Sequence, residues 1–277
     1  MIVFLNGHLM PAEEATVSAF DRGFLYGDGV FETLLVRNGL PFRWEAHHSR
    51  FQRAAAALKI LLPLSGKQLR AVGMAVLERN ESPDCILRIT LSRGRGNRGY
   101  SPKGAERPTL MVSTHPLPVV TPPPQWCLHT SAVRIGADSL STLKSACKLA
   151  QVLARAEAEA KGAHEALMTN AAGEVIEASS GNVFWIEGEA VFTPPASAGA
   201  LPGITRAVIL EECRALGLQI HEQTAPSRRL QQADGLFLTA TGWGVVEALT
   251  LDGESLKQSP LTARLRDAYW AAVARET

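Results

Sequence analysis

Five of the twelve residues from His115 to Trp126, HPLPVVTPPPQW, are proline. Proline holds φ near about −65° and has no backbone N–H, so this run cannot enter a regular helix or a central strand. It favours an extended, fairly stiff connector. The chain on either side is therefore expected to fold as separate bodies. We place a small domain over residues 1–117, the connector over 118–126 and a larger domain over 127–277. A chain of 277 residues suits two domains of ordinary size, with ample material for a core.

Strand and helix signals mix on both sides. IVFLNGHLM reads as strand, Asn6-Gly7 turn, strand, and ETLLVRNGLPFRW repeats the device at Asn38-Gly39. EAHHSRFQRAAAALKI has helical character, and a second helix is predicted from Gly66 to about Arg79. CILRITLSRG and TLMVST are rich in β-branched residues and read as strands. Beyond the connector come a strand, WCLHTSAVRI, an alanine-rich helix, and short strands with tight turns, EALMTN, EVIEAS and NVFWIEGEAVFT. GITRAVILEECRALG places Ile204, Val208, Ile209, Cys213 and Leu216 on one stripe before a glycine stop. Regular strand-helix alternation is absent, so the pattern predicts two α/β domains with antiparallel or mixed sheets.

Composition narrows the function classes. Apolar residues make up 46% and charged ones 20%, and the formal net charge is +1. Such a chain has no global field to recruit nucleic acid or an anionic membrane. The four cysteines are scattered without a C-x-x-C, which argues against a disulfide framework or a zinc knuckle, and no metal is expected. MIVFLNGHLMPAEEA lacks the basic flank and long apolar run of a signal peptide, and a cytoplasmic protein is expected.

One motif tempts and fails. GRGNRG, Gly94 to Gly99, matches G-x-G-x-x-G after a strand, but YSPKGAERP follows it where a dinucleotide site needs a helix. A mobile, glycine-jointed loop bearing Arg93, Arg95 and Arg98 can instead clamp a carboxylate bidentately, or form a solvated basic tip.

The chemistry centres on STLKSACKLAQVLARAEA. Lys144 and Lys148 stand four residues apart at the entrance to the alanine-rich helix, where like charges at that spacing repel. A lysine attacks a carbonyl to form a Schiff base only when partly unprotonated, and a neighbouring cation lowers its pKa. The alternative is an ordinary solvated helix end. Downstream residues supply further parts that pyridoxal phosphate (PLP) requires. Glu177 is a candidate to keep the ring nitrogen protonated, or else a strand-end carboxylate facing water. LPGITR leads into a helix start whose Ile204 and Thr205 amides and Thr205 hydroxyl suit a phosphate, or merely begin a helix. Arg50 and Thr241 can add a cation and a hydroxyl.

These segments resemble the class IV, fold type IV, PLP aminotransferase family. It includes branched-chain and D-amino-acid aminotransferases and 4-amino-4-deoxychorismate lyases. Its signature is spelled here by Glu177, Ser179, Asn182, Val183, Phe184, Thr193, Gly203, Ile204 and Arg206, and DRGFLYGDGVFETLLV resembles its N-terminal signature. The resemblance implies a small N-terminal α/β domain and a larger C-terminal one with a pseudo-barrel. It implies that Lys144 is the Schiff-base lysine and proton carrier, that Glu177 pairs with the pyridine nitrogen, and that Arg50, Ile204, Thr205 and Thr241 hold the phosphate. It further implies a small-molecule amino substrate and a homodimer whose site a partner subunit completes. SRGRGNRGYS is similar to a loop of the lyases, in which Arg98 would bind a substrate carboxylate. Glu32 beside Thr33 is typical of transaminases, whereas the lyases often have threonine in place of Glu32. Phe31 stands where D-amino-acid enzymes often have tyrosine. Trp243 either narrows the substrate pocket or packs. The nearest reading is the lyase, which makes 4-aminobenzoate and pyruvate; the alternative is a D-amino-acid or branched-chain aminotransferase.

Overall fold

The computed structural model describes residues 1–277 and divides into two compact units. The first comprises residues 1–117, 143–148 and 276–277, the second residues 118–142 and 149–275.

The first unit holds β1 (Ile2–Leu5), β2 (His8–Pro11), α1 (Arg22–Tyr26), β3 (Gly29–Arg37), β4 (Leu40–Pro41), α2 (Trp44–Ala57), α3 (Gly66–Arg79), β5 (Cys85–Ser92) and β6 (Thr109–His115). The strands form one antiparallel sheet in the order β2-β1-β6-β5-β3-β4. Both Asn-Gly turns have positive φ at each central residue, 48° and 102° at Asn6 and Gly7, 48° and 77° at Asn38 and Gly39. That backbone matches the twist of the flanking strands, which is why asparagine and glycine stand there. Ser65 and Gln68 form a reciprocal capping box at the start of α3. Val30, Leu34 and Val36 alternate along β3 and pack with Leu87, Ile89 and Leu91 of β5 beneath Trp44, Phe51, Leu69 and Val76 of the two helices.

The second unit holds β7 (Gln125–Arg134), α4 (Leu149–Ala160), β8 (Glu165–Thr169), β9 (Glu174–Ala178), β10 (Asn182–Glu187), β11 (Ala190–Thr193), α5 (Ile204–Ala215), β12 (Gln219–Glu222), β13 (Ala225–Pro226), α6 (Ser227–Gln232), β14 (Gly235–Ala240), β15 (Gly244–Leu251), β16 (Glu254–Ser255) and α7 (Pro260–Glu276). Its sheet runs β12-β11-β10-β14-β15-β7-β8-β9-β13, with β16 on β15, and is mixed. The pairs β15-β7, β7-β8 and β11-β12 are parallel. Strand β10 is central: Val183, Phe184, Trp185 and Ile186 are all fully buried, so it reads as an unbroken apolar run rather than an alternation.

One local expectation is corrected. Helix α4 begins at Leu149, so Lys144 and Lys148 do not share a helical face. Residues 144–146 spend their backbone groups on the open edge of β3 instead: Phe31 N–H donates to the Lys144 carbonyl at 3.0 Å, and Ala146 N–H to the Gly29 carbonyl at 2.8 Å. A segment paired in this extended way cannot also make helical bonds.

Candidate active site

The lysine-bearing strap lies on β3 because glycine leaves room for it. A Cβ on Gly27 would stand 3.0 Å from the Cys147 Cα, and Gly27 has φ 66°. Lys144 is half-buried, with Nζ 4.7 Å from the centroid of the Phe31 ring. Alanine at Gly27 meets both the contact and a left-handed backbone that costs roughly 1–2 kcal/mol. Gly27→Ala is expected to lower both stability and PLP retention on desalting. Gly39→Ala, at φ 77° with nothing within 4 Å of its Cβ, is expected to lower stability alone.

On the core side of β3, Glu32 occupies an apolar register and is 1% exposed. Arg50 donates to it through Nε at 2.7 Å and Nη2 at 2.7 Å, and the His47 Nδ1 lies 2.7 Å from one of its oxygens. Burial pushes the Glu32 carboxyl up, but the Arg50 and His47 bonds and charges outweigh it and bring the pKa down to about 2. Burial pushes His47 below the usual imidazole range, against the pull of Glu32, and the charges of Arg50 and Lys144 add to the lowering. A neutral ring facing a carboxylate must carry its proton on Nδ1 and donate. Arg50 is thus a buried cation with its plane fixed, suited to holding a phosphate. Sequence reading did not place Glu32 and His47 beside Arg50. The available signal was a carboxylate at a core-facing position of β3, with His47 and Arg50 one turn apart on α2.

The opposite face of β3 carries Phe31 and Thr33, both half-buried. Cross-strand pairing sets Thr33 opposite Arg88, and Arg88 opposite Ser113. The Arg88 guanidinium stacks 4.1 Å from the Phe31 centroid and bonds Thr90 Oγ1 at 3.2 Å, with no carboxylate paired to it. Burial lowers its pKa, yet a guanidinium stays charged. Beside the Phe31 ring, Arg88 therefore adds a cation able to receive an anionic group, and sequence reading missed it inside an ordinary strand pattern.

The loop expected to be mobile is pinned. Arg93 gives Nε and Nη2 to Asp28 at 2.7 and 3.0 Å and also holds the Leu58 and Lys59 carbonyls. It is structural and does not clamp substrate. Arg98 is exposed and carries no hydrogen bond or ion pair. No helix follows Gly99, consistent with rejecting a dinucleotide fingerprint.

In the second unit the signature residues hold one loop. Glu177, 9% exposed, accepts from Leu201 N–H at 2.8 Å, and Asn182 Nδ2 donates to the Leu201 carbonyl at 2.8 Å. Arg206 Nη2 holds the Pro194 carbonyl at 3.1 Å, and the Thr193 hydroxyl holds the Val183 carbonyl at 2.8 Å. This loop delivers Ile204 and Thr205 as the first residues of α5, whose N-cap, Gly203, offers no side-chain cap. A Cβ on Gly203 would stand 2.0 Å from Asn182 Oδ1. Uncapped first-turn amides form a ready anion cradle. Thr241 lies in the turn after β14, where a Cβ on Gly181 would meet the Thr239 carbonyl at 2.6 Å. The Thr239 hydroxyl is buried without a partner, an orphaned polar atom in that corner. Trp243 packs edge-to-face on Trp126 at 5.2 Å.

Lys144, Phe31, Thr33, Arg50 and Arg98 thus belong to the first unit, and Glu177, Ile204, Thr205, Thr241 and Trp243 to the second. In the first unit an amine and a fixed arginine suit an aldehyde and a phosphate, and in the second a buried carboxylate and a helix start without a side-chain cap suit a ring nitrogen and a phosphate, so each unit by itself carries donors that fit parts of PLP. When bound, the cofactor supplies an electron sink for breaking bonds at an amino-bearing carbon.

Comparison with known proteins agrees. The chain is 29% identical over 284 residues to D-alanine aminotransferase of Bacillus licheniformis, spanning 100% of this chain and 99% of that protein. It is 30% identical over 241 residues to aminodeoxychorismate lyase of Bacillus subtilis (strain 168), spanning 86% and 82%. The branched-chain aminotransferase of the thermophilic archaeon Thermoproteus uzoniensis, solved with norvaline, superposes with a TM-score of 0.92 at 25% identity, covering 100% of this chain and 96% of that one. Residues 29–250 match the model of the amino-transferase class IV family. Signature, fold and relatives converge: the chain belongs to the class IV aminotransferases, PLP-dependent transaminases and lyases of fold type IV.

Proposed function

We propose that this enzyme converts 4-amino-4-deoxychorismate to 4-aminobenzoate and pyruvate. The observation that carries this reading is the loop SRGRGNRGYS, which presents Arg98 to solvent with no partner of its own. The substrate carries two carboxylates, and Arg88 offers a second uncompensated guanidinium on the Phe31 face. Lys144 takes the cofactor and moves the proton from the amino-bearing carbon, Glu177 pairs with the ring nitrogen, and Arg50, Ile204, Thr205 and Thr241 hold the phosphate. Departure of pyruvate then leaves an aromatic ring.

A second reading, transamination of a D-amino acid or branched-chain amino acid with a 2-oxo acid, is favoured by Glu32 in place of threonine. Incubation with aminodeoxychorismate, and separately with D-alanine or leucine plus 2-oxoglutarate, separates the two. The lyase reading expects 4-aminobenzoate with stoichiometric pyruvate. Glutamate formation from the amino acids without 4-aminobenzoate would replace it. In either reaction Arg88→Gln is expected to raise KM about tenfold, as a charged contact is lost, with PLP retained; an unchanged KM removes Arg88 from the site.

We also propose a cytoplasmic homodimer whose site the partner completes. Helix α4 supports an interface, since Leu149, Val152 and Leu153 on its outer face are 66%, 61% and 53% exposed while Ala154 and Ala158 face the core. Sedimentation at twice the mass of the chain is the expected result.

A further inference from the structure

The N-terminal signature DRGFLYGDG contains Arg22, and nothing in the reading so far uses it. Its side chain is almost fully buried, yet it serves a loop far along the sequence. Nη1 donates to the Gly99 carbonyl at 2.8 Å and the Ser101 carbonyl at 3.1 Å, and Nη2 to the Tyr100 carbonyl at 3.0 Å. Nε is held by Asp28 at 2.8 Å. Asp28 in turn is fixed by Arg93, so the guanidinium plane is set from behind.

The rest of α1 completes the grip. Gly99 N–H donates to the Tyr26 hydroxyl at 3.0 Å, the Arg22 guanidinium lies 4.9 Å from the Tyr26 ring centroid, and Tyr26 meets Tyr100 edge-on at 5.6 Å. The loop base is tied by Arg22 N–H to the Gly94 carbonyl at 2.9 Å. Gly96 leaves the space, since a Cβ there would stand 2.9 Å from Arg22 Cδ. The peptide following Arg98 is therefore fixed at both its N–H and the next carbonyl, while the Arg98 side chain stays exposed.

We propose that Arg22 is a positioning residue that holds the 99–101 loop in shape and thereby presents Arg98 to the substrate carboxylate. This rests on the reading that Arg98 binds that carboxylate. A loop ordered in advance loses less conformational freedom when substrate binds, so affinity rises without a new contact. Three consecutive carbonyls converging with a carboxylate require a planar fork; the single ammonium of lysine cannot span them.

A double-mutant cycle in the holoenzyme tests the assignment, using whichever reaction it turns over. Arg22→Lys is expected to raise KM about tenfold while kcat and PLP content stay near those of the parent. Trypsin cleavage within residues 95–103 should quicken. In an Arg98→Ala background, Arg22→Lys should add no further KM penalty, whereas generalised structural damage would cost the same in both backgrounds. Tyr26→Phe, which removes only the acceptor of the Gly99 N–H, should give a smaller rise in the same direction and substitutes for Arg22→Lys if that variant does not fold. Equal penalties in both backgrounds, or no penalty from Arg22→Lys and Tyr26→Phe while Arg98→Ala raises KM, overturn the positioning role alone. A parental KM in Arg98→Ala overturns the carboxylate reading and this inference with it.

Discussion

Lys144→Ala is expected to lower turnover by about 10⁴-fold or more, because the proposed assignment makes this one residue both the covalent anchor and the proton carrier. The visible absorbance band of lysine-bound PLP should vanish, while the fold, judged by circular dichroism, should survive. The strap that carries the residue is held through backbone groups of residues 29–31 and 144–146, which the substitution leaves untouched. Lys144→Arg keeps the cation near Phe31 but cannot form the same linkage, and should be equally inactive. Lys148→Ala separates the two lysines of the strap. Parental activity in Lys144→Ala with loss in Lys148→Ala would reverse their assignment.

Glu32→Gln is expected to destabilise the protein by about 3–5 kcal/mol, since it removes the buried carboxylate charge bonded to the Arg50 guanidinium. The pH dependence gives an independent signature. The Glu32 pKa in the folded protein, about 2, lies below its ordinary value of 4.5. The folded state therefore holds this carboxylate ionised more tightly than the unfolded chain does. The resulting stability, on the order of 3 kcal/mol, is fully present above the ordinary value and lost as pH falls from 4.5 toward 2. His47, also lowered, adds a decline that begins as pH drops below 6.5, where the unfolded ring takes up a proton that the buried one refuses. Urea unfolding from pH 7 to 3 should show both slopes in the parent and lose the lower one in Glu32→Gln. A lower slope of parental size in the variant would assign acid lability to other carboxylates.

Local sequence rules decided much of the framework. The Asn-Gly pairs adopt the positive φ values that short hairpins need, and the Ser65–Gln68 box starts α3 where the two partners stand three positions apart. The apolar run of β10 and the stripe of α5 follow from the same short-range logic. The signature from Glu177 to Arg206 was also readable, because it lies within a single stretch of chain in which Glu177, Asn182 and Arg206 bind one nearby loop.

Side-chain partnerships between distant segments were a different matter. Propensity places Lys144 at a helix entrance, but an open strand edge with two glycines competes for the same backbone and wins. Glu32 is one more polar residue in FETLLV until α2 folds over it and supplies Arg50 and His47. The GRGNRG loop reads as mobile from its glycines, and only burial of Arg22 beneath it reveals three carbonyls gathered on one guanidinium. What the amino-acid order settled alone was the set of elements and the reactive groups they carry. Which charges meet was left to tertiary packing, because a buried ion pair forms only once the surrounding apolar surface has excluded water, and no window of local sequence contains that surface.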